Sequence, residues 1–152
     1  MGAITNNGLG VAGAAPGVKL MAARVGYLPA GTSQGVVRMD WVAQGILYAV
    51  ANGADVINCS WGSSSSISFA VGTAISEGVL MVTAAGNDDS ELDPSYLSTY
   101  PGVIAVAATD PSDGRASFSN YGTWVELSAP GTGIYTTTYN ATLDTHTYST
   151  TQ

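Results

Sequence analysis

Two glycine motifs and one lone imidazole have residue types that could carry chemistry. Gly8-Leu9-Gly10-Val11-Ala12-Gly13 has G-x-G-x-x-G spacing. In a dinucleotide site such glycines let the backbone approach a pyrophosphate at a helix N-terminus. That chemistry needs a strand before the motif, a helix after it, and an acid about 20 positions on. Here Asn6-Asn7 precede it, Pro16-Gly17 follow it, and the next acid is Asp40. The match therefore reads as a glycine-rich loop. Gly31-Thr32-Ser33-Gln34-Gly35 fits G-x-S-x-G, the spacing of a nucleophilic serine on a sharp strand-to-helix turn. Pro29-Ala30 separates it from any preceding strand, and no His or acid stands near it, so a surface loop is expected. A serine hydrolase needs an imidazole to take the serine proton. The single histidine, His146, lies in a polar tail and reads as a surface residue. The single cysteine, Cys59, lies in an apolar run and reads as a small buried hydrophobe. One His and one buried Cys give no transition-metal ligand spacing.

The elements that would position these residues follow from apolar patterning. Val18–Val25 reads as a buried strand, and Gly26 to about Gly35 as a loop. A helix is expected over Asp40–Asn52, with Val42, Ile46, Ala49 and Val50 on one stripe. Asp40 suits its N-terminal end and Gly53 its C′ position. Ala54–Ser60 reads as a strand, and a second helix carries Ile67, Ala70, Val71, Ala74 and Ile75 at helical spacing before Gly78. Val79–Ala85 is apolar without alternation, as in a strand covered on both faces. After a polar loop, Gly102–Ala108 reads as another strand, with shorter ones at Trp124–Leu127 and Gly133–Thr137. The tail from Thr138 to Gln152 shows no packing pattern. Strand, helix, strand, helix, strand predicts an α/β fold with a mostly parallel sheet.

Composition narrows the class. The chain has 152 residues and 45% apolar content, enough for one domain with a core. The net charge is −7, and the only cations, Lys19, Arg24, Arg38 and Arg115, are scattered. No basic stripe is present to neutralise phosphates, so neither nucleic acid nor an anionic membrane surface is an expected partner. Gly, Asn, Ser or Asp interrupts every apolar run well short of the ~18 residues of a membrane span. No basic, apolar leader opens the chain. From the residues alone the reading ends at an α/β domain of open function.

A set of segments, in order, resembles the subtilisin-like serine proteases. They are Asn6 to Pro16 (NNGLGVAGAAP), Ala49 to Gly62 (AVANGADVINCSWG), Ala84-Ala85-Gly86-Asn87, Tyr100 to Val106 (YPGVIAV), Arg115 to Asn120 (RASFSN) and Ala129-Pro130-Gly131. The resemblance covers nearly the whole chain. It implies a partial subtilisin-like peptidase domain over residues 1–152: an α/β fold, mostly parallel, with helices on both faces, and incomplete. In that family the catalytic Asp and His precede the Asn-Asn-Gly segment, and the nucleophilic Ser follows the region of Tyr148–Gln152. The chain is thus expected to hold no triad residue, with neither Ser33 nor His146 in such a role.

The resemblance also implies a substrate cradle. Asn87 matches the oxyanion-hole asparagine, whose amide meets the charge that builds on the carbonyl oxygen in acyl transfer. Ser60, Trp61 and Gly62 would lie along one side of a polypeptide substrate, and Gly35, Val36 and Val37 along the other. Ala84, Ala85 and Gly86 would line the pocket for the residue before the cut. The Thr5-to-Val11 loop resembles a calcium site, with the Asn7 side chain and the carbonyls of Thr5, Leu9 and Val11 as oxygen ligands. The family completes that site upstream, so weak binding is expected here. Carbonyls of Ser98, Tyr100 and Val103 would form a second, weaker cation site. The family further implies secretion. Two rivals remain at this stage: a non-catalytic binding or scaffold domain on the same fold, and an unrelated α/β nucleotide-binding protein.

Overall fold

The computed structural model describes residues 1–91, 95–140 and 144–150. Its first ladder is short. Gly26–Tyr27 (β1) pairs antiparallel with Val36–Val37 (β2), closing the loop that carries Gly31, Ser33 and Gly35. The strand expected over Val18–Val25 does not form. A strand exists through its ladder, and no described strand pairs with this segment. Its Val18, Leu20 and Met21 stay exposed.

The helix expected over Asp40–Asn52 forms at Met39–Ala51 (α1). Asp40 lies in the first turn, where a carboxylate opposes the positive helix end. The Arg38 guanidinium donates to both Asp40 oxygens at 2.9 Å. Those bonds hold the Asp40 carboxyl below its ordinary pKa. At the other end Gly53 takes φ 75°, a left-handed turn that glycine enters without strain. Of the predicted stripe, Val42, Ile46 and Ala49 are buried and Val50 is half-buried.

Val56–Cys59 (β3) leads through a 3-10 turn at Ser65–Ile67 into Ser68–Ser76 (α2), and then Leu80–Ala84 (β4). Val103–Thr109 (β5) and Leu127–Pro130 (β6) complete one sheet in the order β3-β4-β5-β6, with all neighbours parallel. The register puts Ile57, Met81 and Val103 in one row and Cys59, Thr83 and Ala105 in the next. Against this face pack Val42 and Ile46 of α1, Ala70, Val71 and Ala74 of α2, and Ile67 and Leu97 from the turns. Each fully buried aliphatic side chain there contributes about 1.5–3 kcal/mol relative to exposure. Burial pushes the Cys59 thiol up to about 12. It stays protonated and packs as a hydrophobe rather than acting as a nucleophile.

The opposite sheet face carries no helix among the described residues. Val56 and Leu80 are exposed there, and Val82, Ile104 and Val106 are half-buried. The α/β class and parallel sheet match expectation. Helices on one face only agree with an incomplete arrangement of the two-faced fold.

Two later elements shift. The strand expected at Trp124–Leu127 begins at Leu127; the Val125 N–H turns back to the Gly122 carbonyl at 3.3 Å, and only Glu126 reaches β5, through its N–H to the Ala105 carbonyl at 3.2 Å. The Trp124 indole N–H donates to the Glu91 carbonyl at 3.0 Å, and the Ala105 N–H donates to Glu126 Oε2 at 2.6 Å. The strand expected at Gly133–Thr137 runs as Tyr135–Asn140 (β7). The tail pairs back onto it as Thr145–Thr150 (β8), where no pattern was expected. Every β8 residue is exposed, so no apolar alternation announces the hairpin. It rests on β-branched and aromatic cross-strand pairs, with Tyr135 stacked on Tyr148 at 6.0 Å. Among the described residues no helix is long and apolar enough to cross a membrane.

Candidate active-site cleft

The register that pairs Cys59 with Thr83 ends β3 and β4 side by side. The Thr83 hydroxyl donates to the Cys59 carbonyl at 2.9 Å and ties the two ends together. Beyond them the chain continues as Ser60-Trp61-Gly62 and Ala85-Gly86-Asn87. Between these segments opens a cleft of about 560 Å³, lined by Met39, Ser60, Trp61, Gly62, Ala84, Gly86, Asn87 and Asp88 with three serines. The carboxyl ends of parallel strands are the usual ligand position of α/β sheets. One wall is set by the serine pair Ser63 and Ser95, whose hydroxyls lie 2.9 Å apart. The Leu97 N–H donates to the Ser63 hydroxyl at 2.8 Å, so a fully buried leucine anchors that wall.

Most of the expected cradle therefore converges. Ser60, Trp61 and Gly62 leave the ladder after Cys59, so their backbone has no strand partner among the described residues. Asn87 is exposed at the cleft, and its side-chain amide makes no hydrogen bond among the described residues. That leaves both of its N–H groups free to donate. Gly86 reaches the turn with φ 108°.

Two expectations need adjustment. Ala85 is 1% exposed and sits behind the cleft, because its N–H donates to the Val106 carbonyl and extends the sheet. Gly35, Val36 and Val37 do not line the cleft. Val36 and Val37 use one edge to pair with β1. Their other edge has no ladder partner among the described residues, and Met39, just beyond them, supplies the cleft contact.

The remaining candidates lie elsewhere. Thr5, Asn7, Leu9 and Val11 share an exposed loop around a cavity of about 220 Å³. Asn6, Gly8 and Gly10 at positive φ curl it, and the Leu9 N–H donates to Asn7 Oδ1 at 3.0 Å. With no strand before it or helix after it, this loop lacks the frame of a dinucleotide site. Ser98 lies in a 3-10 turn, Leu97–Thr99, and its hydroxyl is buried without a partner among the described residues. The Tyr100 carbonyl, expected at a second cation site, accepts the Val103 N–H at 3.0 Å. No cluster of His, Cys, Asp or Glu able to hold a metal occurs among the described residues. Ser33 lies in the loop between β1 and β2, and His146 pairs with Tyr139 in the terminal hairpin.

Met39, Ser63, Asp88 and Asn120 belong to this region and were not anticipated as site residues. Asn120 fell within a segment of family resemblance, yet nothing local marks its role, since its partner Asp88 lies 32 positions away.

Comparison with known proteins decides the family. The subtilase (peptidase S8) family model matches residues 1–152. The chain belongs to the subtilase family. It is 41% identical over 138 residues to thermitase of Thermoactinomyces vulgaris, covering 89% of this chain and 47% of that protein. It is 40% identical over 148 residues to an extracellular protease of Xanthomonas campestris pv. campestris, covering 92% of this chain and 26% of the relative. Among solved structures, a protease from Pseudoalteromonas arctica PAMC 21717 superposes with TM-score 0.68 at 32% identity, over 76% of this chain and 42% of that one. This subtilase chain thus spans less than half the length of these relatives.

Proposed function

We propose that the chain is part of a secreted subtilisin-like serine endopeptidase, supplying the oxyanion donor and the substrate-binding segments but no member of the triad. The observation that carries this reading is Asn87: an exposed side-chain amide, without a hydrogen bond among the described residues, at a cleft beyond the ends of β3 and β4. A polypeptide lying along Ser60–Gly62 would find unpaired backbone there, and Gly35–Val37 offers a second such edge. The scissile carbonyl oxygen would then accept from Asn87 as its charge develops. Ala84 and Gly86 keep the pocket for the preceding residue wide, with Ala85 supporting it from behind. Secretion is favoured by the relative named as an extracellular protease.

A serine-reactive fluorophosphonate probe and a chromogenic peptide test this on two samples, the 152-residue chain and the complete product of its gene. The complete product is expected to be labelled and to cleave, and the chain alone to do neither. Labelling of Ser33 in the chain alone would refute the assignment. A complete product that neither labels nor cleaves would favour a binding domain on the subtilase fold.

Calcium is the proposed structural ion, held by Asn7 Oδ1 and the carbonyls of Thr5, Leu9 and Val11. Their all-oxygen chemistry suits a hard cation. None of these groups is charged, so the loop alone is expected to bind in the ~10⁻⁴–10⁻³ M range of weak sites. Calorimetric titration of the 152-residue chain with calcium checks this. An Asn7→Ala variant that binds unchanged would rule out the loop.

A further inference from the structure

The segment from Gly86 to Glu91 leaves β4 carrying Asn87, and a distant segment, Arg115 to Trp124, holds it. Asn120 stands at the centre, with no exposed surface. Its Oδ1 accepts from the Asp88 N–H at 2.8 Å and the Ser90 N–H at 3.2 Å. Its Nδ2 donates to the Ala85 carbonyl at 3.0 Å. Its own N–H donates to the Gly86 carbonyl at 3.0 Å. One buried amide therefore binds the chain on both sides of Asn87. The amide orientation is fixed, since the reverse would set N–H against N–H and oxygen against oxygen.

The neighbouring ties are backbone bonds, Asp89 N–H to Phe118 carbonyl at 2.9 Å and Tyr121 N–H to Ser90 carbonyl at 3.0 Å. Arg115 pairs with Asp89 at 2.8 Å, but both side chains are substantially exposed, and such pairs hold little. Asn87 has no side-chain bond of its own among the described residues, so its aim is inherited from its backbone.

We propose that Asn120 is a positioning residue, which fixes the turn that points Asn87 at the developing oxyanion. This rests on the oxyanion role of Asn87 proposed above. A donor set for a transition state has to be held before the reaction, because swinging into place at that moment forfeits its advantage. The three side-chain bonds of Asn120 all fall on residues within three positions of Asn87, which is where such holding has to act.

The test is a double-mutant cycle in the complete gene product, reading kcat and KM separately. Asn120→Ala is expected to lower kcat by about tenfold or more with KM nearly unchanged. In an Asn87→Ala background the same substitution is expected to change kcat less than about twofold, because no donor is left to aim. Asn120→Asp keeps an acceptor for the Asp88 and Ser90 N–H groups and loses the donor to Ala85. It should give an intermediate loss, and it serves as the cycle partner if the alanine variant does not fold. Hydrogen exchange should show the Asp88 and Ser90 amides losing protection while those of Met81 and Thr83 in β4 keep theirs. A full Asn120 effect that persists in the Asn87→Ala background overturns the positioning role alone. An Asn87→Ala enzyme with undiminished kcat overturns the oxyanion reading, and the positioning role with it.

Discussion

Asn87→Ala in the complete gene product is expected to lower kcat by about 10²–10³-fold while leaving KM within a few-fold, a magnitude that comes from subtilisin itself as a family member rather than from this geometry. The direction does follow from the geometry. The Asn87 amide lies at the cleft and makes no hydrogen bond among the described residues. Nothing in the fold depends on it, so thermal stability should move by no more than about 0.5 kcal/mol. A large fall in kcat at constant stability separates a transition-state donor from a structural residue. Asn87→Asp should be at least as damaging. A carboxylate of similar shape has no hydrogen to donate at neutral pH and repels the oxyanion. Steady-state kinetics beside a melting curve checks both variants. Equal activity of Asn87→Asp and the parent would remove the oxyanion role.

The contrast between what patterning reveals and what it hides has a physical basis. Helix α1 is legible because Val42, Ile46 and Ala49 must all face one core, and burial imposes the helical period on the sequence. The same holds for Ala70, Val71 and Ala74 in α2, and for the apolar runs of β3, β4 and β5. Val18–Val25 has an equally apolar run and forms no strand. Its composition states a preference, but a strand requires a partner edge, and the sequence does not say whether that edge is present. The β7–β8 hairpin errs in the opposite sense. Every residue of β8 is exposed, so no apolar alternation is written into that strand.

The site was legible only through family resemblance. Asn87 looks like an ordinary turn residue, and the oxyanion role proposed for it depends on β3 and β4 ending together. The same resemblance puts Ala85 in the pocket with Ala84 and Gly86. The sheet bond of its N–H to the Val106 carbonyl instead buries it between Ala84 and Gly86, which do line the cleft. Asn120 illustrates the limit most clearly. A single amide bonding a loop 30 to 35 positions away leaves no periodicity, charge pattern or spacing to read.

Gly86→Ala is expected to destabilise the protein by about 2–5 kcal/mol, adding backbone strain of about 1–3 kcal/mol to the loss of a buried hydrogen-bonded contact. Gly86 sits at φ 108°, where L side chains rarely go. A Cβ there would land on the Asn120 amide nitrogen, itself fully buried. The neighbour is not a flexible chain end. It is held by its bonds to Ala85, Asp88 and Ser90, so it cannot retreat without breaking them. Gly53→Ala supplies the control, since Gly53 has φ 75° but open space where its Cβ would stand. It should show the strain alone, about 1–2 kcal/mol. Denaturant unfolding of both variants measures the difference. A Gly86→Ala cost no greater than that of Gly53→Ala would mean that Asn120 yields freely. Such a yielding residue could not hold Asn87 in place, so this stability measurement also bears on catalysis. If the close approach is tight, Gly86→Ala has to displace either the turn or Asn120, and kcat should fall with stability. Its kcat deficit should then vanish in the Asn87→Ala background, as that of Asn120→Ala does. Both substitutions would disturb one object, the direction of a single side-chain amide.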